Sequence, residues 1–258
     1  MHVLITAGGT PEPNHPLYAY TQGQPKALLD IAGRPMIEYV IAALQDAKSV
    51  DEIVVIGLGE NIGKQLKTKR SIHHLPNQES LLKNTVVGIN WIKKIDPNCE
   101  KLLLCTSDIP LLTGDIVDSF VNLCTGDFGM YYALIPQATM EAAFPSSKRT
   151  YTKLQDIIFT GGDLCLSTPE LVSSNLELWE LLIAKRKSPI KIARQFGWKT
   201  VLKLLTRQLT VADCNAIATR VLRIPCKGVE CPFPELGMDG DKPFQVDMLR
   251  EEMSHLGN

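Results

Sequence analysis

The chain has no Cys-x-x-Cys pair. Its seven cysteines, Cys99, Cys105, Cys124, Cys165, Cys214, Cys226 and Cys231, are odd in number and scattered, which argues against a zinc or disulfide framework and reads them as small, mostly buried thiols. Charge of either sign is not in excess: 27 Lys and Arg oppose 28 Asp and Glu, a formal net charge of −1. Nucleic-acid binding through phosphates calls for a basic balance or a clustered basic face, so no nucleic-acid partner is expected, and Lys67, Lys69 and Arg70 read as a solvated helix end. No stretch approaches the roughly 20 uninterrupted apolar residues that cross a bilayer. The first strand-like run follows the initial Met with no charged leader or cleavage site, so a cytoplasmic protein with no membrane partner is expected.

What is present is an ordinary globular composition, 258 residues with 45% apolar and 21% charged, enough for one core in a single domain carrying an insertion. Apolar runs at 2–6, 52–56 and 101–105 read as buried strands, and 36–45 and 79–95 show apolar residues at helical spacing. The resulting βαβαβ order predicts an α/β protein with a largely parallel sheet. Further strands are expected at 130–135 and 159–166. From 169 to 222 the pattern becomes helix after helix, at 170–174, 176–184, 190–196, 199–205 and 211–220, a helical subdomain inserted in the domain. Thr168-Pro169-Glu170 and Thr210 with Asp213 signal two of the helix starts. The chain is then expected to return to the sheet near 219–224, cross a loop rich in proline and cysteine at 225–234, and end in a helix at 243–255.

Three stretches carry chemistry. After the first strand come Ala7-Gly8-Gly9 and, past a polar loop, Gln24-Pro25-Lys26. Glycines there let backbone N–H groups approach a phosphate or base, and Lys26 offers a point charge to a polyphosphate; a flexible surface loop is the plainer alternative. Ser107-Asp108-Ile109-Pro110 follows the central run directly, where open α/β sheets bind ligands. A carboxylate at that crevice suits a hard cation such as Mg²⁺, although Asp108 could instead cap the next helix. Far downstream, Asp239-Gly240-Asp241-Lys242-Pro243 places alternate aspartates on an extended segment, either a surface turn or the completion of a metal site.

Together these stretches resemble the nucleotidyltransferase family that contains molybdenum-cofactor guanylyltransferase and related sugar- and polyol-phosphate nucleotidyltransferases. The likeness runs through Ala7-Gly8-Gly9, Pro25-Lys26-Ala27-Leu28 and 31–40, then Gln78-Glu79-Ser80 with Asn84 and Gly88, Ser107-Asp108-Ile109-Pro110, Gly161-Gly162-Asp163 and Asp239 to Pro243. The resemblance implies a three-layer Rossmann-like sandwich with a mostly parallel mixed sheet, of the nucleotide-diphospho-sugar transferase type. It implies a Mg²⁺-dependent enzyme that transfers an NMP group from an NTP to a small-molecule, phosphorylated acceptor and releases pyrophosphate. By that resemblance Lys26 and Asp108 are catalytic; Ala7, Gly8, Gly9, Lys26, Gln78, Ser80, Asn84 and Asp108 bind the nucleotide; and Asp108 and Asp241 hold the metal, with Asp239 the alternative to Asp241. Gly162 and Asp163 border the acceptor. Relatives carry an arginine shortly after the first glycines, whereas nothing between Gly9 and Lys26 is Arg or Lys; Lys148 and Arg149 are the candidates to replace it, on the acceptor side. A monomer or a homodimer fits.

Three other readings stay open: a noncatalytic nucleotide-binding or regulatory module, a metal-dependent glycosyltransferase, and a dinucleotide-dependent oxidoreductase built on Gly57-x-Gly59-x-x-x-Gly63. That spacing alone is a weak fingerprint, and a tight turn after the second strand accounts for it. His73 and His74 read as structural, and Trp91, Trp179 and Trp198 as anchors on helices.

Overall fold

The computed structural model describes residues 1–173 and 198–256. Within them β1 (His2–Thr6), β4 (Glu52–Ile56) and β6 (Leu102–Thr106) form the parallel centre of a sheet, near-continuously apolar as strands covered on both faces must be. Their register is level: His2 lies opposite Glu52 on one side and Leu102 on the other, so Thr6, Ile56 and Thr106 end together. Outside β4 runs β5 (His73–Leu75), also parallel. Beyond β6 comes β9 (Ile158–Ser167), antiparallel to β6 and to β7 (Met130–Pro136), and β10 (Cys226–Glu230) pairs parallel with β7. The order is β10-β7-β9-β6-β1-β4-β5, with β8 (Thr152–Lys153) paired to the start of β9. A separate hairpin joins β2 (Asp30–Ile31) to β3 (Arg34–Pro35).

Helices cover both faces. On one side α2 (Met36–Asp46), α5 (Gly114–Leu123) and α10 (Pro243–Leu256) bury Ile37, Val40, Phe120, Val246 and Leu249 with Val3, Ile5, Val55 and Leu103. On the other, α4 (Leu81–Ile95), α7 (Glu170–Ser173) and α9 (Val211–Leu222) bury Ile89, Ile92, Leu171 and Leu222 with Leu4, Val54 and Leu102. Gly88 permits this close seat of α4, since a Cβ there would fall 2.4 Å from Leu4. Short helices occupy the connections: α1 (Tyr18–Thr21), α3 (Gly59–Gly63), α6 (Gln137–Ala143) and α8 (Trp198–Leu205). The mostly parallel mixed sheet between helical layers is the expected α/β architecture. No helix among the described residues is long and apolar enough to cross a membrane.

Two local expectations fail. Helix α9, opened by the Thr210–Asp213 capping box, runs on to Leu222 because Ala218 and Leu222 share the face that joins the core. The edge strand therefore comes later, as β10, inside the segment read as loop. Its outward N–H groups at Cys226 and Gly228 donate to Thr219 Oγ1 at 2.9 Å and Asn215 Oδ1 at 2.8 Å, so α9 covers the sheet edge. Helices expected at 176–184 and 190–196, and Trp179, lie outside the described residues. His73 stacks on Trp91, centroids 4.3 Å apart, and the His74 ring fills the space that a side chain at Gly63 would need, which leaves both histidines structural.

Candidate active site

The loops that leave the level carboxyl ends of β1, β4 and β6 meet at one crevice, the position where open α/β sheets bind ligands. Ala7 extends β1 by donating its N–H to Ile56 O at 2.8 Å. Gly8 then passes between two neighbours that leave no space for a side chain: a Cβ would lie 2.6 Å from Asn77 Oδ1 and 2.7 Å from Asn84 Nδ2. Gly57, at φ +120°, brings the turn after β4 so near that its own Cβ would overlap Gly8 N at 2.2 Å. Of the glycine series at 57, 59 and 63, it is Gly57 that supports the first loop. Gly9 faces open space, and its carbonyl accepts from Lys26 N at 2.9 Å, which closes the 10–25 loop at its neck. Buried Leu17 anchors that loop in the core and Tyr20 Oη donates to Asp247 on α10 at 2.9 Å.

The segment before α4 is laced to the same loop. Asn84, buried, accepts from Gln78 N at 2.7 Å and donates to Asn77 Oδ1 at 3.0 Å, while Asn77 Nδ2 reaches Gly8 O at 3.3 Å. Ser80 is the N-cap of α4, accepting from Lys83 N at 3.2 Å. The structure therefore brings Gly8, Gln78 and Asn84 together, with Ser80 at the helix start. Asn77, which motif reading passes over, is the residue that ties Gly8 to Asn84.

The charged centre lies between β1 and β6. Lys26, in a 3₁₀ turn at Lys26–Leu28, forms ion pairs with both Asp108 and Asp241. Burial disfavours its ammonium, yet the two carboxylates outweigh that and hold its pKa above the usual lysine value. Asp108 does not cap a helix, since Thr113 does so for α5. Its backbone carbonyl accepts from Gly240 N at 3.1 Å, which pins the Asp239 to Asp241 segment over the end of β6. Asp239 turns inward to pair with Arg149, both about seven-eighths buried, and Asp241 stays exposed. Carboxylate oxygens of Asp108, Asp239 and Asp241 all lie within 4.8 Å of one another.

Asp163 on β9 adds a fourth carboxyl. It keeps some accessible surface, but the surrounding protein, with the charges of Asp108 and Asp239, pushes its pKa well above the carboxylate range. Burial, then Asp108, likewise raises Asp239 to about 6, against the lowering by Arg149. Four carboxyls thus face two cations, Lys26 and Arg149. Oδ1 of Asp108 is buried without a hydrogen-bond partner among the described residues, so the donor set, all oxygen and in excess of the local cations, fits a hard divalent ion such as Mg²⁺. Of the two other acceptor-side candidates, Lys148 is exposed over the Phe244 ring at 5.7 Å, and Gly162 packs against Ala133, Ile135 and Leu236 on the covered face of β9. Arg149 points into the crevice and Lys148 stands at its rim.

A family model described as the MobA-like NTP transferase domain matches residues 4–162. No curated protein matches the chain. Among solved structures, a hypothetical transferase from Thermus thermophilus is 33% identical, with a TM-score of 0.77 over 95% of this chain and 98% of its own. A CMP:2-keto-3-deoxy-manno-octonic acid synthetase complexed with CTP shares 12% identity and a TM-score of 0.57 over 98% of each chain. The 4-diphosphocytidyl-2C-methyl-D-erythritol synthase of Anaerococcus prevotii shares 13% and 0.56 over 98% of this chain and 95% of its own. These last two establish the nucleotide-diphospho-sugar transferase fold and no more.

Proposed function

Because the chain belongs to the MobA-like NTP transferase domain family, we propose that it transfers an NMP group from an NTP to a small phosphorylated acceptor and releases pyrophosphate. The observation that carries this reading is the convergence of Lys26 with Asp108 and Asp241 at the ends of β1 and β6. Gly8 and Gly9 offer backbone N–H groups to the phosphates. Gln78 and Asn84, on the far side of Gly8, border the nucleotide with Ser80 beside them.

Asp108, Asp239 and Asp241 are the residues that would hold Mg²⁺, which when bound neutralises charge on the phosphates and polarises the α-phosphorus. Lys26 then exchanges its carboxylate partners for phosphate oxygens. An acceptor phosphate oxygen attacks the α-phosphorus in line, a P–O bond forms, the bond to the β-phosphate breaks, and pyrophosphate leaves with the electron pair. No covalent nucleophile is required, since positioning and electrostatics carry such reactions. Arg149 supplies the cation that the 10–25 loop lacks, from the acceptor side, next to Asp163.

The test is pyrophosphate release from ATP, CTP, GTP and UTP with Mg²⁺ across phosphorylated sugars, polyols and pterins. Release that depends on one acceptor and falls by about 10²–10³-fold in Lys26→Ala, and at least as far in Asp108→Asn, is expected. Metal-dependent NTP binding with no release for any acceptor would instead make the chain a binding module, and cleavage of a sugar nucleotide a glycosyltransferase.

A further inference from the structure

Part of the face of α9 does not close onto the sheet. Between this helix and strands β7 and β10 lies a half-open cavity of about 300 Å³, at the small end of the roughly 300–1,000 Å³ range of small-molecule sites. Its lining is apolar, including Met130, Leu134, Leu154, Phe159, Ala218 and Leu222. Two of the polar side chains in its walls are committed elsewhere: Asn215 Oδ1 accepts from Gly228 N, and Lys227 Nζ donates to Thr125 O at 3.2 Å.

Tyr132 stands between the cavity and the charged centre, lining the one and near enough to Asp163 and Arg149 to feel their charges. Its hydroxyl lies where a Gly161 Cβ would come within 1.9 Å, two residues before Asp163. Leu134 pairs with Gly161 and Tyr132 with Cys165, while Leu164, next to Asp163, pairs with Cys105 of β6. The cavity floor on β7 is therefore two strand spacings, roughly 10 Å, from the strand that leads to Asp108. A single small molecule spans that distance.

The geometry points to an amphipathic acceptor: a compact anionic head that carries the nucleophilic oxygen at Arg149 and Asp163, and an apolar tail or ring seated between α9 and β7. This inference rests on the nucleotidyltransferase reading for the head, whereas the tail follows from the cavity alone. The Tyr132 hydroxyl, with no hydrogen-bond partner among the described residues, stands where the two parts meet.

Titration of the full chain with inorganic phosphate and with n-alkyl phosphates from butyl to decyl, in the presence of Mg²⁺, tests it by calorimetry. Affinity should rise about fourfold per added methylene until the cavity is full. Ala218→Phe, which fills the cavity from α9, should lower the affinity for octyl phosphate at least tenfold and leave inorganic phosphate and NTP binding unchanged. Should that variant fail to fold, Leu154→Ala enlarges the cavity and should shift the plateau to longer chains. Affinity independent of chain length, or a chain-length series identical in wild type and a folded variant, overturns the inference. Loss of the nucleotidyltransferase reading would show separately, as NTP binding indifferent to Asp108→Asn.

Discussion

Arg149 and Asp239 each lie about seven-eighths out of water and pair with one another. Removing one member of such a pair strands the other, at a cost of about 3–5 kcal/mol, whereas removing both costs much less. Arg149→Ala should therefore lower the urea midpoint strongly, and adding Asp239→Asn should restore much of it. Activity should not return with stability, because Arg149 is also the proposed acceptor-side cation; a double variant with native stability and wild-type KM for the acceptor would remove Arg149 from the reaction. At this scale the residues that gather at the candidate site were largely legible before folding. Lys26 and Asp108 announce themselves by following glycines and a buried strand, and the missing loop arginine itself directs attention to Arg149. Asn77 was not legible, because its role is a lattice of amide hydrogen bonds to Gly8 and Asn84 that a single polar residue after Pro76 does not advertise.

The crevice depends on how closely three turns approach. Gly57 is the sharpest case: its φ of +120° strains any L side chain, and a Cβ would overlap the Gly8 backbone. Gly57→Ala should destabilise the protein by about 2–4 kcal/mol and weaken NTP binding disproportionately, as Gly8 is displaced. A stability loss with unchanged NTP affinity, measured together by thermal unfolding and calorimetry, would break the link between this turn and the nucleotide loop. Strands β1, β4 and β6 were readable because burial on both faces leaves unbroken apolar runs. Strand β10, Cys-Lys-Gly-Val-Glu between prolines, was not: no periodicity marks it, and what makes it a strand is β7 on one side and Thr219 and Asn215 of α9 on the other. The reversed direction of β9 was equally hidden, since hydrophobic pattern carries no sign of chain direction.

For the molecule as a whole, a net charge of −1 conceals a concentration of carboxyls at one crevice. Asp239, raised to about 6, and Asp163, raised well above the carboxylate range, keep protons in the native state that the unfolded chain has already released. Stability falls with pH wherever the native state binds more protons than the unfolded one. Metal-free protein should thus lose stability as pH rises from about 4 through 6 and beyond, a slope opposite to that of carboxylates held low, such as Asp118, where burial raises the pKa but the hydrogen bonds from Ser49 and Lys48 outweigh it. Divalent ions bind the ionised form, so their stabilising effect should be small at pH 5 and grow through pH 6 to 8. Thermal unfolding at pH 5, 6, 7 and 8 with and without Mg²⁺ measures both slopes. Equal Mg²⁺ stabilisation at every pH would mean that the ion does not compete with these protons, and would take the metal away from Asp239. A Mg²⁺ effect that grows with pH and disappears in Asp108→Asn would tie the ion to the carboxylates gathered at the end of β6.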